Sequence, residues 1–262
     1  MLGKMESSVG MTRRACSTLA EAKFMLITVI GRGHSGTRAM SHTLSESGVF
    51  MGAELNKSGD LLPPDDLYEA CRVFARHVKH LGGTQWDFSE CHSGPIDPEF
   101  TRLVECYLAS VLESDAPARG WKLPETTLIL PWIVRLFPDA YYIYWYRDPR
   151  DSILGEHLTD DLADFGVPYD HTEDPMRQRA ISWQYQYEIM RSTPSPTNRI
   201  DVQFEEFVLD QPATLQRLNR FLGLELVEIP VRLDSIGRWL DGPGCAEYAI
   251  FPEESLFRRT TK

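Results

Sequence analysis

The stretch Met25–Ile30, "MLITVI", constrains the fold of this chain more than any other. It is apolar, rich in β-branched side chains and free of polar alternation. A strand that reads this way is buried on both faces, as the strands of a parallel sheet are. The run stops at Gly31, and "GRGHSGTR", Gly31–Arg38, follows. A helical pattern then runs from Thr37 to Ser47, with Met40 and Leu44 turned inward.

Further along, "AYYIYWY" (Ala140–Tyr146) and "RIDVQF" (Arg199–Phe204) read as two more strands, with helical patterns between and after them. A helix is expected from Leu67 to Leu81, and another after the cap Asp97 with Pro98 in its first turn. "GWKLPETT" is expected to be a short connection ending a strand, and "TTLILPWIVRLF" a helix closed by Pro138. Asp148 and Pro149 open a helix through "DPRDSILGEHL". "LADFGVPYDHTEDP" reads as a long polar loop on the substrate rim, before a long helix, "DPMRQRAISWQYQYEIMRS". The last helix closes at Gly223. Strands alternating with helices predict an α/β fold, a three-layer sandwich with a mostly parallel central sheet of the P-loop nucleotide-binding type. Ligands of such sheets sit at the carboxyl ends of the strands. The glycine loop and Arg147 are therefore expected on one edge. Residues 1–23 lack the apolar core of a signal peptide and are expected to be a disordered tail, with 24–262 a single α/β domain.

The formal net charge of −11, from 27 basic and 38 acidic residues, argues against a surface that holds nucleic acid or anionic membrane. An anion must be met by a local pocket. The five cysteines (Cys16, Cys71, Cys91, Cys106, Cys245) include no C-x-x-C pair, which predicts reduced thiols and a cytoplasmic location. No run is apolar and long enough for a membrane span.

Gly31 and Gly36 have the spacing of the phosphate-loop pattern G-x-x-x-x-G-K-[ST], but Thr37 stands at the lysine and Arg38 at the magnesium-binding hydroxyl. The loop is still an anion cradle. It offers backbone N–H groups, a helix N-terminus, and the donors His34, Ser35, Thr37 and Arg38. It suits a donor with one phosphate at this position and no metal. In "YWYRDPRDSILGEH", Arg147 leaves a strand for a helix N-terminus, where a guanidinium grips a phosphate or pairs with Asp148, Asp151 or Glu156. Three readings stay open on these residues: a group transferase, a kinase with a degenerate loop, and a noncatalytic nucleotide-binding protein.

Four stretches in order resemble the sulfotransferases that use 3′-phosphoadenosine-5′-phosphosulfate (PAPS). "GRGHSGTR" is similar to their 5′-phosphosulfate loop, and "YRDPRDSIL" to their 3′-phosphate element. "VQFEEFVLDQPATLQRLNRFLGL" and "SIGRW" (Ser235–Trp239) are similar to their downstream elements. The resemblance runs from about Met25 to Leu240. It implies a metal-independent transfer of a sulfuryl group from PAPS to a hydroxyl or amine of a small-molecule, sugar or lipid acceptor, with PAP as product. It implies that Gly33, Ser35, Gly36 and Thr37 hold the 5′ end. His34 stands where Lys or Arg is usual, so Arg38 or Arg32 supplies the permanent charge. Arg147 holds the 3′ phosphate, with Ser152 and Arg238 near it. Gly155 stands where a serine is usual. Lys122 matches a lysine beside the transferring group.

The acceptor must lose a proton. The residues after Lys122 are "LP", so the histidine that some relatives carry there is absent. Glu54, in the region after the first helix, is the first candidate base, and Glu125 the second. His77, His80 and His92 are further options. The acceptor site is expected to draw on "NKSGDLLPPDDLYEACRVF", "TQWDFSECHSGP" and "DDLADFGVPYDHTED", with Trp86, Phe88, Tyr68 and Tyr169 among its aromatics.

Overall fold

The apolar run Met25–Ile30 is strand β1, and it lies inside the sheet with a parallel neighbour on each side. The computed structural model describes residues 24–241; the expected tail at 1–23, residues 242–262, and Cys16 and Cys245 lie outside them. The further strands are β2 (Lys79–Gly82), β3 (Gln85–Asp87), β4 (Ala118–Lys122), β5 (Tyr141–Tyr146) and β6 (Arg199–Gln203). Strands β4, β1, β5 and β6, in that order, form one parallel sheet. Strands β2 and β3 make a separate antiparallel hairpin.

The helices are α1 (Thr37–Glu46), α2 (Asp65–Ala75), α3 (Ser89–Ser93), α4 (Pro98–Leu112), α5 (Leu130–Leu136), α6 (Pro149–Ser152), α7 (Pro175–Ser192), α8 (Phe204–Leu209) and α9 (Gln211–Leu222). They cover both faces of the sheet, because alternate strand residues point opposite ways. Leu26, Ile30, Tyr142 and Tyr144 join one core with Phe74, Phe100, Trp132 and Tyr185 of α2, α4, α5 and α7. Ile27, Val29, Ile143 and Trp145 join the other, with Met40, Leu44, Phe207 and Leu218 of α1, α8 and α9. This is the expected three-layer α/β arrangement. Each large side chain so buried stabilises the fold by about 1.5–3 kcal/mol. Trp145 also reaches the glycine loop, its Nε1 donating to the Ser35 carbonyl at 3.0 Å. Trp145→Ala would cost about 3–5 kcal/mol and loosen that loop.

Several expected elements differ. The helix expected to reach Leu81 ends at Ala75, and the chain turns into the hairpin, whose Gly82 and Gly83 have φ of 103° and 60°. "ARGWK" is a full strand, β4, despite its Arg and Gly. A side chain at Gly120 would run into the Ile27 carbonyl, so the glycine allows β4 to lie close against β1. The stretch expected as one helix over "TTLILPWIVRLF" is a 3₁₀ segment, Pro124–Ile129, followed by α5; Pro131 lacks the N–H that a continuous helix needs. The helix expected through "DPRDSILGEHL" stops at Ser152, and a capping box between His157 and Asp160 starts a new turn. The expected polar rim at 162–175 is pinned instead: Leu162, Phe165 and Val167 are core residues.

Candidate functional site

At the carboxyl ends of β1, β4 and β5 lies a cavity of about 450 Å³. Its wall takes Gly33, His34, Gly36 and Thr37 from the glycine loop, Arg38 and His42 from α1, Lys122 from β4, and Arg147 from the end of β5. Ser58 and Asp60, His157, and the segment Ile229–Arg232 with Ser235 and Arg238 complete it. The expected common edge for the loop and Arg147 is present.

The loop is held from below. Gly31 N–H donates to Thr127 Oγ1 at 3.2 Å, and Ser35 Oγ donates to the Arg32 carbonyl at 2.5 Å. Gly36 caps α1 at φ 92°, a left-handed conformation that glycine adopts freely, and its α-carbon rests on the Phe204 ring. The backbone N–H groups of Gly33, His34 and Gly36 donate to no partner among the described residues. Those amides, with the first turn of α1, are available to an anion.

His34 is not the cation of this loop. Its φ is 62°, and the Arg147 Nη1 donates to its carbonyl at 2.8 Å. Its Nε2 lies 2.6 Å from the Glu156 carbonyl. A carbonyl only accepts, so Nε2 carries the proton. The residue is exposed, yet desolvation of the ring lowers its pKa, so the imidazole is neutral at pH 7.

Arg32 does not supply the charge either. It is buried, ion-paired with Asp160, and donates to the carbonyls of Gly33 at 3.0 Å and Ser152 at 2.8 Å. Burial lowers its pKa to about 10. It builds the loop and does not line the cavity. The same holds for Ser35 and for Ser152, whose Oγ donates to the Asp148 carbonyl at 3.1 Å. Arg38, Arg147 and Arg238 do line the cavity.

These cations form two groups. Arg38 Nη2 donates to Ser58 Oγ at 2.8 Å, and Lys122 Nζ donates to the Ser58 carbonyl at 2.7 Å and pairs with Asp60. Lys122 is 2% exposed. Burial lowers its pKa, and Asp60 opposes the shift. In the second group, Arg147 stacks over Phe204 at 4.6 Å, lies 3.5 Å from Asp151, and donates to the Ser235 carbonyl. Burial lowers its pKa as well. Its Nε is buried and has no hydrogen-bond partner among the described residues. Asp151 then accepts from the N–H groups of Gly237 at 2.8 Å and Trp239 at 3.0 Å, so "SIGRW" is latched onto α6. Glu205, of "FEEF", accepts from Asp148 N–H at 2.9 Å and fixes the turn that carries Arg147.

The carboxylates are arranged differently from the expectation. Glu54 is exposed and does not line the cavity; its backbone carbonyl accepts from Leu62. Asp60, six residues on, lines the cavity. Its loop is built tightly: Asn56 Oδ1 accepts from the N–H groups of Ser58 at 2.7 Å and Asp60 at 3.0 Å, and Ser41 holds the Gly59 carbonyl at 2.8 Å. Glu125 lies behind the wall. It is 2% exposed, its Oε2 has no partner among the described residues, and burial pushes its carboxyl up to about 7. His77 pairs with Glu90, and His80 lies beside Asp170; neither lines the cavity, nor does His92. Trp86 and Phe88 are core residues, and of the expected acceptor segments only Ser58 and Asp60 reach the cavity.

His157 is a site residue that the sequence reading missed. It sits in "GEHL", nine residues after Asp148, within the stretch expected to continue as a helix. The short α6 was the hidden signal, with Gly155 as its mark. Among the described residues no group of three His, Cys, Asp or Glu side chains is set to hold a metal ion, and no helix is long and apolar enough to cross a membrane.

The sequence model of the sulfotransferase family matches residues 27–228. No curated protein sequence matches the chain significantly. Among solved structures, the chain is similar to the sulfotransferase domain from the curacin biosynthetic pathway (17% identity, 81% of this chain and 77% of that one, TM-score 0.46). It is also similar to a sulfotransferase from Alicyclobacillus acidocaldarius (13%, 81% and 88%, 0.46). A mouse sulfotransferase complexed with PAP is a third (16%, 78% and 61%, 0.39).

Proposed function

The chain belongs to the sulfotransferase family, and from that premise we propose that it moves a sulfuryl group from PAPS to a hydroxyl or amine of a small-molecule, sugar or lipid acceptor. One observation carries this reading: a single cavity joins open loop amides to two separate cationic groups, Lys122 with Arg38 and Arg147 with Arg238. A donor phosphorylated at both its 5′ and 3′ positions needs such a pair of anion sites. The unpartnered Nε of buried Arg147 fits an anionic ligand. When bound, PAPS supplies an activated sulfuryl group on its 5′ phosphate.

The chain's own residues divide the work. The amides of Gly33, His34 and Gly36, with Thr37, would hold the 5′ end. Arg147 and Arg238 would hold the 3′ phosphate, while the buried Arg32 and Ser152 hold the loop and turn that shape the site. Lys122 neutralises charge left on the 5′ phosphate, a contribution that is large in a site shielded from water. Asp60 takes the acceptor's proton, supported by its position in the cavity against Lys122. A positioned base contributes about 10²–10⁴-fold. Glu54, exposed outside the cavity, is the weaker candidate for that role. A cytoplasmic location, inferred from thiol usage, belongs to the same proposal.

The test is thermal stabilisation by PAP, ATP and ATP with Mg²⁺, each with and without EDTA. PAP should stabilise most, and EDTA should not matter. Ligand at a hundredfold above Kd adds about 2.7 kcal/mol. Silence with PAP, or a response to ATP that needs magnesium, would overturn the reading.

A further inference from the structure

We propose that His157 is a catalytic residue: a neutral hydrogen-bond donor to the oxygens of the transferring sulfuryl group, fixed in that tautomer by its second role as an N-cap. The proposal rests on the sulfotransferase reading above.

The tautomer follows from the turn after α6. Thr159 N–H lies 3.2 Å from His157 Nδ1, and Thr159 Oγ1 lies 3.0 Å from the same nitrogen. A backbone N–H only donates, so Nδ1 is the lone-pair nitrogen. In a neutral ring the proton is then on Nε2. The turn is held at its other end too, because His157 N–H donates to Asp160 Oδ2 at 2.7 Å, and Asp160 is fixed by Arg32.

Nε2 faces the site. The ring lies against Gly33, where any β-carbon would overlap Nε2. It shares the cavity wall with Lys122 and Asp60. Among the described residues the Nε2 proton is unspent: the nearest carboxylate oxygen, Glu125 Oε1, is 4.0 Å away, beyond hydrogen-bond reach. The groups around the ring are Glu125, Asp60, Lys122, Arg32 and His34. Burial first, then Arg32 and His34, pushes the imidazole down to about 3, so the ring of the ligand-free protein is uncharged at pH 7.

Neutrality suits the reaction. In a loose group transfer, negative charge moves off the transferring group and onto the leaving oxygen. A cation on the sulfuryl oxygens would favour the ground state over the transition state. An uncharged N–H orients them with a smaller penalty. The acceptor oxygen bonds to sulfur as the sulfur–oxygen bond to the 5′ phosphate breaks. The electron pair of that bond leaves on the phosphate oxygen beside Lys122, the acceptor proton goes to Asp60, and His157 keeps its proton throughout.

Two substitutions separate the two roles. Asn carries an acceptor near Nδ1 and preserves the cap but not the cavity donor; Gln carries an N–H near Nε2 and preserves the donor but not the cap. His157→Asn should keep its melting temperature and its PAP affinity, since PAP lacks the sulfuryl group, while kcat falls about 10²-fold, as for a reacting group no longer held in line. His157→Gln should melt lower yet keep most of kcat. In the ligand-free wild type, ¹⁵N NMR should show a bare Nδ1 and a protonated Nε2, unchanged from pH 5 to 8. Full activity of His157→Asn, or a ring protonated on Nδ1 or charged at pH 7, would overturn the proposal while the wild type still turned over. A wild type that binds no PAP would instead remove the sulfotransferase reading and this proposal with it.

Discussion

His34 and Gly155 compete for one space: a β-carbon on Gly155 would lie 2.8 Å from the His34 ring. These are the two positions at which the chain departs from the pattern it resembles, a cation in the loop and a serine after the RDPRD element. The structure makes them one event. The ring reaches over Gly155 to donate to the Glu156 carbonyl, and a larger residue at 155 would displace it.

Gly155→Ser should therefore be worse alone than with a flexible cation at 34. We expect the single variant to lose PAP affinity and melt lower, and His34→Lys/Gly155→Ser to recover part of both. Contacting residues couple by about 0.5–3 kcal/mol. A double-mutant cycle read by PAP titration checks it, and additive effects would show that the two positions are independent.

Arg147→Ala should weaken PAP at least about tenfold, on the scale of one charge-assisted hydrogen bond of about 1.5–3 kcal/mol. Adenosine 5′-phosphosulfate, which has no 3′ phosphate, should lose much less. Equal losses for both ligands would mean that the change acts through the loop and the Ser235 latch, which Arg147 also holds.

Asp60→Asn should lower kcat by about 10²-fold or more with PAP affinity kept, and Glu54→Gln should leave both within a few-fold. Steady-state kinetics with the acceptor, beside PAP titration, decides between them. A larger loss from Glu54→Gln than from Asp60→Asn would return the base to Glu54.

Glu125 makes stability depend on pH. Its carboxyl is raised from 4.5 to about 7 in the folded chain. The folded state thus holds a proton that the unfolded state gives up. The associated stability is present below about pH 4.5 and is lost as pH rises through 7, to the extent of roughly 3 kcal/mol. Glu125→Gln should remove this decline. Denaturant unfolding of wild type and variant at pH 5 and pH 8 measures it, and parallel profiles would contradict it.

Much of the cavity wall around the glycine loop and Arg147 was legible in the sequence, because it rests on local chemistry. A buried strand, a glycine at a left-handed cap and an arginine at a strand end each announce themselves within a few residues. The places of Arg32 and Asp60 were not legible. Arg32 looks like any loop cation until Asp160, on a turn far along the chain, is brought against it. Asp60 and Glu54 sit on one loop, and only the folding of Asn56 back onto residues 58–60 decides which carboxylate faces inward. His157 was hidden by a helix that the periodicity extends and the structure ends. The hairpin at 79–87 was lost for the opposite reason, a helical pattern run past its stop.

Asp151 accepts both of its backbone hydrogen bonds from Gly237 and Trp239, and that has a consequence for the order in which the protein is made. The glycine loop leaves the ribosome about 200 residues before the segment that walls its cavity. At about 5–20 residues per second, the two events are separated by roughly 10–40 s. During that interval the sheet and loop can form, but the far wall of the cavity cannot. Until nearly all of its described length has been synthesised, a nascent chain therefore has the glycine loop without the wall that closes its cavity.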